Sequence, residues 1–299
     1  MKNKTREQLV QMYLDSLKEN VIPWHQTWSN ANNKNGITNQ DYRGVNQLLL
    51  SFVSEKEKYK DPRWFTFVQI KEKGYKLKNG AKGVPIEFIS FYNHKTKDRL
   101  DLIDYNNLVK ESPDSVKDYK MFVNNYHVFN ADLIEGVPSL KEEKNKIVVS
   151  SFVDNAIKSL NVKYNERGDK AYYSPSSDEI VLPKKDKFKD NYSYYATQLH
   201  ELCHSTSHES RLNRVVNIND INEYAKEELV AEISSSFLMK NIGLNVKAEH
   251  YDNHKAYIQS WISILEDKPS ELFKAINESN KVVDYIEEKV KEMNMEMIR

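Results

Sequence analysis

The 299-residue sequence predicts an α+β protein of two domains, the first α+β and the second mainly helical with a small sheet. Three observations carry this expectation. The apolar period in the first half changes from helical to strand-like, a wholly polar run from Lys141 to Lys146 follows Gly136 and Pro138, and the second half reads as helices around one short hairpin. A boundary in the polar run gives domains of residues 1–140 and 147–299.

The elements follow in order. Leu9, Tyr13 and Leu17 recur at four-residue spacing and predict a helix over 4–20 that Pro23 stops. An Asn-rich loop covers 29–40, and Val45, Leu48, Leu49, Phe52 and Val53 mark a second amphipathic helix. Thr66, with Gln69 three residues on, forms a capping box that opens a third helix ending near Gly74. The segments 84–92 and 121–129 are rich in β-branched and aromatic residues and predict strands joined by a polar connection. In the second half a helix over 147–160 precedes a hairpin of 171–174 with 179–182, turning through Pro175 to Asp178. Helices follow over 191–207, 222–241, 251–265 and 270–293.

Composition narrows the class. Hydrophobic residues make up 39% and charged residues 29%, and no apolar run approaches the length that crosses a bilayer, so no membrane partner is expected. The basic N-terminus leads into a stretch interrupted by Glu7, Asp15 and Glu19, which argues against a secretory signal. Cys203 is the one cysteine, and a chain without an internal disulfide suits a cytoplasmic location. Net charge is zero, but residues 1–140 carry four more basic than acidic side chains and 141–299 four more acidic than basic, which directs any polyanionic partner to the first half.

The chemistry lies in His200-Glu201-Leu202-Cys203-His204. On a helix, histidines at i and i+4 project from one face, so both imidazoles can reach one zinc ion at about 2.0–2.1 Å. Glu201, one residue past the first ligand, is turned off the metal axis and is placed to take a proton from water. A catalytic site needs a third ligand from another element, and the next strong helix supplies Glu228 and Glu232 on one face. The order of the Glu-zincins assigns Glu228 to the metal and Glu232 to support of a ligand histidine. Glu227 reads as part of an exposed acidic face. His208 is a rival third ligand only if the helix breaks near 205–207, because on a straight helix it lies about 12 Å from His200. Tyr224, Tyr251, His254 and Arg211 are open choices for an oxyanion donor, and the strand 179–182 is a candidate edge for an extended peptide.

These residues resemble the family of ArdC-type antirestriction proteins. The resemblance rests on Ile22-Pro23-Trp24, residues 42–46 and 61–66, Gly80 to Gly83, residues 200–214 and 225–232, and residues 257–261, and so spans most of the chain. One departure is Ser207, where the family usually has Gly, which bears on how the metal helix ends. The resemblance implies an N-terminal domain that binds single-stranded DNA and a C-terminal zincin-like metallopeptidase domain acting on an unidentified protein substrate, in an antirestriction role. Unpaired DNA is held by aromatic stacking and by cations along the backbone. Trp24, Trp28, Tyr42 and Trp64 lie close in sequence to Arg43, Arg63, Lys71, Lys76, Lys78 and Lys82, with Asn46 a possible reader of a base edge. Residues 60–82 hold seven basic against two acidic side chains. A non-catalytic protein that shields DNA from restriction enzymes, with a structural or vestigial zinc, stays open, although an intact Glu201 argues for chemistry.

Overall fold

The computed structural model describes residues 4–19, 32–140, 148–214, 220–244 and 255–296. Trp24, Trp28, Tyr251, His254 and the polar run 141–146 lie outside the described residues. The fold is α+β, and its contacts divide it into two compact units. One comprises the described parts of 1–33, 41–60 and 140–299, and the other 34–40 and 61–139.

The first unit contains α1 (Lys4–Lys18), α2 (Gly44–Glu57), α5 (Val149–Ser159), α6 (Asn191–Ser205), α7 (Ile221–Asn241), α8 (Lys255–Asp267) and α9 (Ser270–Glu296). Its small sheet has β8 (Lys163–Glu166), β9 (Tyr172–Ser174) and β10 (Glu179–Leu182), in the order β8-β10-β9. The second unit holds β1 (Lys34–Asn35), β2 (Arg63–Thr66), β4 (Val84–Asn93), β5 (Arg99–Asp101) and β6 (Tyr119–Asn130), which form one sheet in the order β1-β2-β6-β4-β5. It also contains α3 (Phe67–Glu72), α4 (Leu102–Glu111) and the two-stranded pair of β3 (Lys76–Leu77) with β7 (Ile134–Glu135).

A single cut between residues 140 and 147 does not describe this packing. The apolar face of α1 is fully buried at Leu9, Tyr13 and Leu17, and α1 packs on α8 while α2 packs on α9. An amphipathic helix settles where its apolar stripe finds a partner, so the N-terminal helices join the helices of the second half. Gly44 shows how closely α2 approaches α9. Its φ is +53°, and a Cβ there would sit 2.7 Å from Asn280 Nδ2.

The capping box forms: Thr66 Oγ1 accepts from Gln69 N, and Gln69 Oε1 accepts from Thr66 N at 2.9 Å. The connection expected between the two long strands contains β5 and α4, the latter capped by Asp101, and β8 is a further strand that the apolar pattern did not reveal. Both strands are short and largely exposed, so neither carries a marked alternation. β10, expected as a free edge, is the central strand of its sheet: it pairs parallel to β8 and antiparallel to β9, leaving β9 at the edge beside α6.

α7 is the middle of the helical layer and packs on α6, α8 and α9. It is buried on nearly every side from Ala225 to Met239, which accounts for the absence of a simple apolar stripe in its sequence. Trp261 of α8 fixes one contact by donating its indole N–H to Ala225 O at 2.9 Å. The end of α6 is tied down by arginines. Arg211 donates to Ser205 O at 2.8 Å and grips both Asp178 oxygens at 2.8 and 2.7 Å, joining the last turn of α6 to the β9–β10 turn. With the Arg211 side chain 3% exposed, Arg211→Ala takes away the ion pair to Asp178 and one donor to Ser205 O, leaving Asp178 with the Tyr173 hydroxyl alone. Unfolding by urea should show a loss of roughly 2–4 kcal/mol.

Candidate metal centre

The helical register of α6 puts His200 and His204 on the face that meets α7. Asp190 caps the start of α6 by accepting from Ser193 N at 2.8 Å, and its final carbonyls are met by Thr206 and Arg211. The two imidazoles therefore sit on a helix fixed at both ends. Their Nε2 atoms are 3.1 Å apart, and Glu228 of α7 lies across from them with Oε2 3.5 Å from His200 Nε2 and Oε1 3.5 Å from His204 Nε2. Two ligand atoms bound at about 2.05 Å in a tetrahedral arrangement are separated by about 3.3 Å, so the three donors fit one cation. Among the described residues these three form the cluster with metal-ligating geometry. His208 does not join them: α6 has ended at Ser205, and His208 Nδ1 pairs with Ser210 Oγ at 2.8 Å.

Behind each imidazole stands a carboxylate. Glu232 Oε1 is 3.5 Å from His200 Nδ1, and Glu227 Oε1 is 3.3 Å from His204 Nδ1. Glu227 is not an exposed surface acid. It is buried and clamped by Arg214, which donates from Nε at 3.1 Å and Nη2 at 2.7 Å. Arg214 also donates to Thr206 Oγ1, so one guanidinium joins the end of the metal helix to the support of its second histidine. Sequence reasoning missed Glu227 and the part played by Arg214. The available signal was three glutamates on one helix whose remaining positions are apolar, with an arginine following the histidine motif.

The charges respond to burial and to each other. Burial pushes the Glu201 carboxyl upward, against the pull of both histidines. Burial also disfavours charge on His200 and His204, but their neighbouring carboxylates outweigh it and hold both above the ordinary imidazole value, His204 well above. Glu228 moves the other way: burial opposes ionisation, but the two histidines overcome it and hold the carboxyl far below its usual range. Cys203 is fully buried and its thiol is pushed up by desolvation, which makes it an inert packing residue. Of the open oxyanion choices, Arg211 is committed to Asp178, whereas Tyr224, whose ring lies 5.9 Å from Tyr257, is pushed up in pKa by burial and by the nearby Glu228. The backbone of Tyr173, on β9, lies close enough to Glu201 to favour its carboxylate slightly.

The residues expected to touch DNA fare unevenly. Trp64 is fully buried and has no face for a base; on β2 it packs into the sheet. Arg63 is held by Asp61 at 2.6 Å and by Pro138 O at 2.7 Å. Tyr42 and Arg43 line a cavity with Asp41, Asp284 and Glu287, and Arg43 is paired to Asp284, so a phosphate would meet carboxylates there. Asn46, half-buried on α2, also has a partner. Lys71, Lys76, Lys78 and Lys82 are exposed, with Lys78 Nζ donating to Asp132 O at 2.8 Å.

Comparison with known proteins agrees with this arrangement. Residues 151–278 match the zincin-like metallopeptidase family, and residues 3–129 match the N-terminal domain of the anti-restriction factor ArdC. The chain belongs to the ArdC-type antirestriction family. The crystal structure of the antirestriction ArdC protein from plasmid R388 with Mn(II) bound superposes with a TM-score of 0.76 at 27% identity, over 95% of this chain and 97% of that one. The metal-free structure of the same protein gives 0.75 at 27% identity, over 96% and 98%. An Escherichia coli protein named DNA primase TraC is 33% identical over 96% of this chain and a second TraC 32% over 95%, but the chain spans only 27% and 20% of their lengths. No helix among the described residues is long and apolar enough to cross a membrane.

Two outcomes follow for the metal centre. Glu227→Gln and Arg214→Met should each weaken divalent-metal binding about 10- to 100-fold in calorimetric titration, because His204 loses the partner that orients it. A histidine whose folded pKa is raised contributes stability that is complete at low pH and disappears as pH rises through that value. The metal-free protein should therefore lose stability as pH rises above about 6.5, and added zinc should restore it.

Proposed function

We propose that this chain is a zinc-dependent peptidase of the HExxH class that also binds single-stranded DNA, serving antirestriction for a mobile element in the cytoplasm. The observation that carries the reading is the convergence of His200, His204 and Glu228 on one point, with Glu201 beside it. Two imidazoles and one carboxylate leave a tetrahedral cation one open position, the mark of a catalytic rather than a closed structural site.

Zinc bound by these three residues supplies Lewis acidity toward a scissile carbonyl and acidifies water. The chain's own side chains do the rest. Glu201 is the base that takes the proton from attacking water and then delivers it to the leaving amine, a role suited to a carboxyl whose pKa burial raises. Glu232 and Glu227 hold the rings of His200 and His204 and fix which nitrogen faces the cation. β9 offers a free edge beside Glu201 along which an extended peptide can pair its backbone, and Tyr224 is the donor best placed to meet charge developing on a carbonyl oxygen. We assign single-stranded DNA to the segment that matches the ArdC N-terminal domain, and proteolysis to the segment that matches the metallopeptidase family. Mn(II) in the R388 relative supports occupancy by a divalent cation here, and zinc is the choice made by the nitrogen-rich donor set.

Glu201→Gln separates this reading from a DNA shield that needs no catalysis. With the ligands untouched, the variant should bind zinc as the parent does, yet cleave a casein substrate, with or without single-stranded DNA, roughly 10²- to 10⁴-fold more slowly. Antirestriction should fail in parallel. Full protection of incoming DNA by Glu201→Gln would show that the chain acts by shielding.

A further inference from the structure

We propose that one face of the β4–β6 ladder, carrying Phe88, Tyr92, Phe122 and Tyr126, is the platform on which this protein stacks the bases of single-stranded DNA. The proposal rests on the DNA-binding reading above and assigns it a surface that the sequence motifs did not. β4 and β6 pair antiparallel from Val84↔Val128 to Asn93↔Tyr119. Because side chains alternate, the pairs Ile86↔Tyr126, Phe88↔Asn124, Ser90↔Phe122 and Tyr92↔Lys120 all project from the same side. On that side Phe88, Phe122 and Tyr126 are 43%, 41% and 46% exposed. The rings form two groups along the ladder: Phe88 lies 5.9 Å from Tyr126, and further on Tyr92 lies 6.4 Å from Phe122 and 4.9 Å from His94. From the Tyr126 level to the Tyr92 level is about 20 Å of strand, room for a run of several nucleotides.

The opposite side of the same strands is packed at Phe91 and Glu87 but leaves Met121 and Val123 exposed, and neither of these offers an aromatic ring to a base. Phe91 stacks on Tyr105 of α4 at 3.6 Å, and Tyr105 meets Tyr119 edge-on. Single exposed apolar residues are unremarkable, but four aromatics gathered on one open sheet face are a binding surface. The surrounding charge selects the occupant. Six lysines lie between residues 73 and 97, of which Lys95 is paired to Asp118 and Lys78 donates to Asp132 O, and the one carboxylate of that stretch, Glu87, is buried on the other side, with Glu72 and Asp98 just beyond its ends. Lys120 stands among the rings, directly opposite Tyr92. Aromatic faces with cations along their border fit a strand whose bases are unstacked and whose phosphates run past the lysines; a duplex keeps its base faces hidden, and an apolar protein partner has no use for the lysines. The exposed Lys76, Lys78 and Lys82 lead into β4 and so find their aromatic partners here, in place of the buried Trp64.

The test is fluorescence anisotropy of the full chain with a labelled thymidine oligonucleotide, competed by duplex DNA. Phe88→Ala, Phe122→Ala and Tyr126→Ala should each weaken binding about five- to 150-fold, the range for loss of one stacked base. Phe88→Leu and Phe122→Leu should weaken it comparably, Tyr126→Phe should bind like the parent, and Phe67→Ala, exposed on α3, should change nothing. Because these side chains are exposed, unfolding midpoints should match the parent. If the parent binds the oligonucleotide and the alanine variants bind equally well, the platform is wrong and DNA binding lies elsewhere in the chain. Full binding by the leucine variants assigns the face to apolar contact and likewise overturns the proposal, while failure of the parent to bind removes the DNA-binding reading itself together with the platform.

Discussion

The helix interface of α6 and α7 must hold four carboxylates almost out of water: Glu201 from one helix and Glu227, Glu228 and Glu232 from the other. Carboxylates are seldom buried so completely without partners, and the three on α7 each have a specific one. Arg214 and His204 meet Glu227, His200 meets Glu232, and Glu228 lies between both imidazoles. With neutral histidines, one arginine faces four acids. A divalent cation drawn between the imidazoles and Glu228 offsets most of that excess, so the electrostatics and the ligand geometry call for the same ion.

The remainder of the helical unit keeps that interface in register. α7 is enclosed by α6, α8 and α9, and Trp261 locks α8 to its backbone close to Glu227 and Glu228. The last turn of α6 is secured twice, by Arg211 to the β9–β10 turn and by Arg214 to α7 through Glu227. Those two arginines place a free sheet edge next to Glu201 and hold the second histidine in place. One side chain thus serves two ends: Arg214 closes the last turn of α6 and fixes the carboxylate beside His204.

Much of the site was legible because its chemistry is local. Histidines four apart with an intervening glutamate define one helical face, and Glu228 was accessible from the spacing of the next helix. Glu227 was misread because surface acids usually precede buried ones in likelihood, and only the three-dimensional arrival of Arg214 and His204 shows why it is inside. His208 was separable from the ligands by helix rise alone. The capping box at Thr66 was readable, being confined to four residues, whereas β8 and the division into units depend on tertiary pairing that no window contains. The aromatic residues of the segment that matches the ArdC N-terminal domain show the same limit. Trp64 and Phe88 are equally apolar in sequence and fall on the same side of the sheet, yet one is fully buried and the other 43% exposed, because tertiary packing covers that side around β2 and leaves it open further along β4.

The proposed chemistry depends on one cation that residues of two helices would hold. Anomalous diffraction at the zinc edge, from crystals grown with zinc, locates that ion without reference to activity. A single strong peak about 2.0–2.2 Å from His200 Nε2, His204 Nε2 and a Glu228 oxygen, with one coordination position not filled by protein, is the predicted result. A peak elsewhere, or a fourth protein ligand closing the site, contradicts the account.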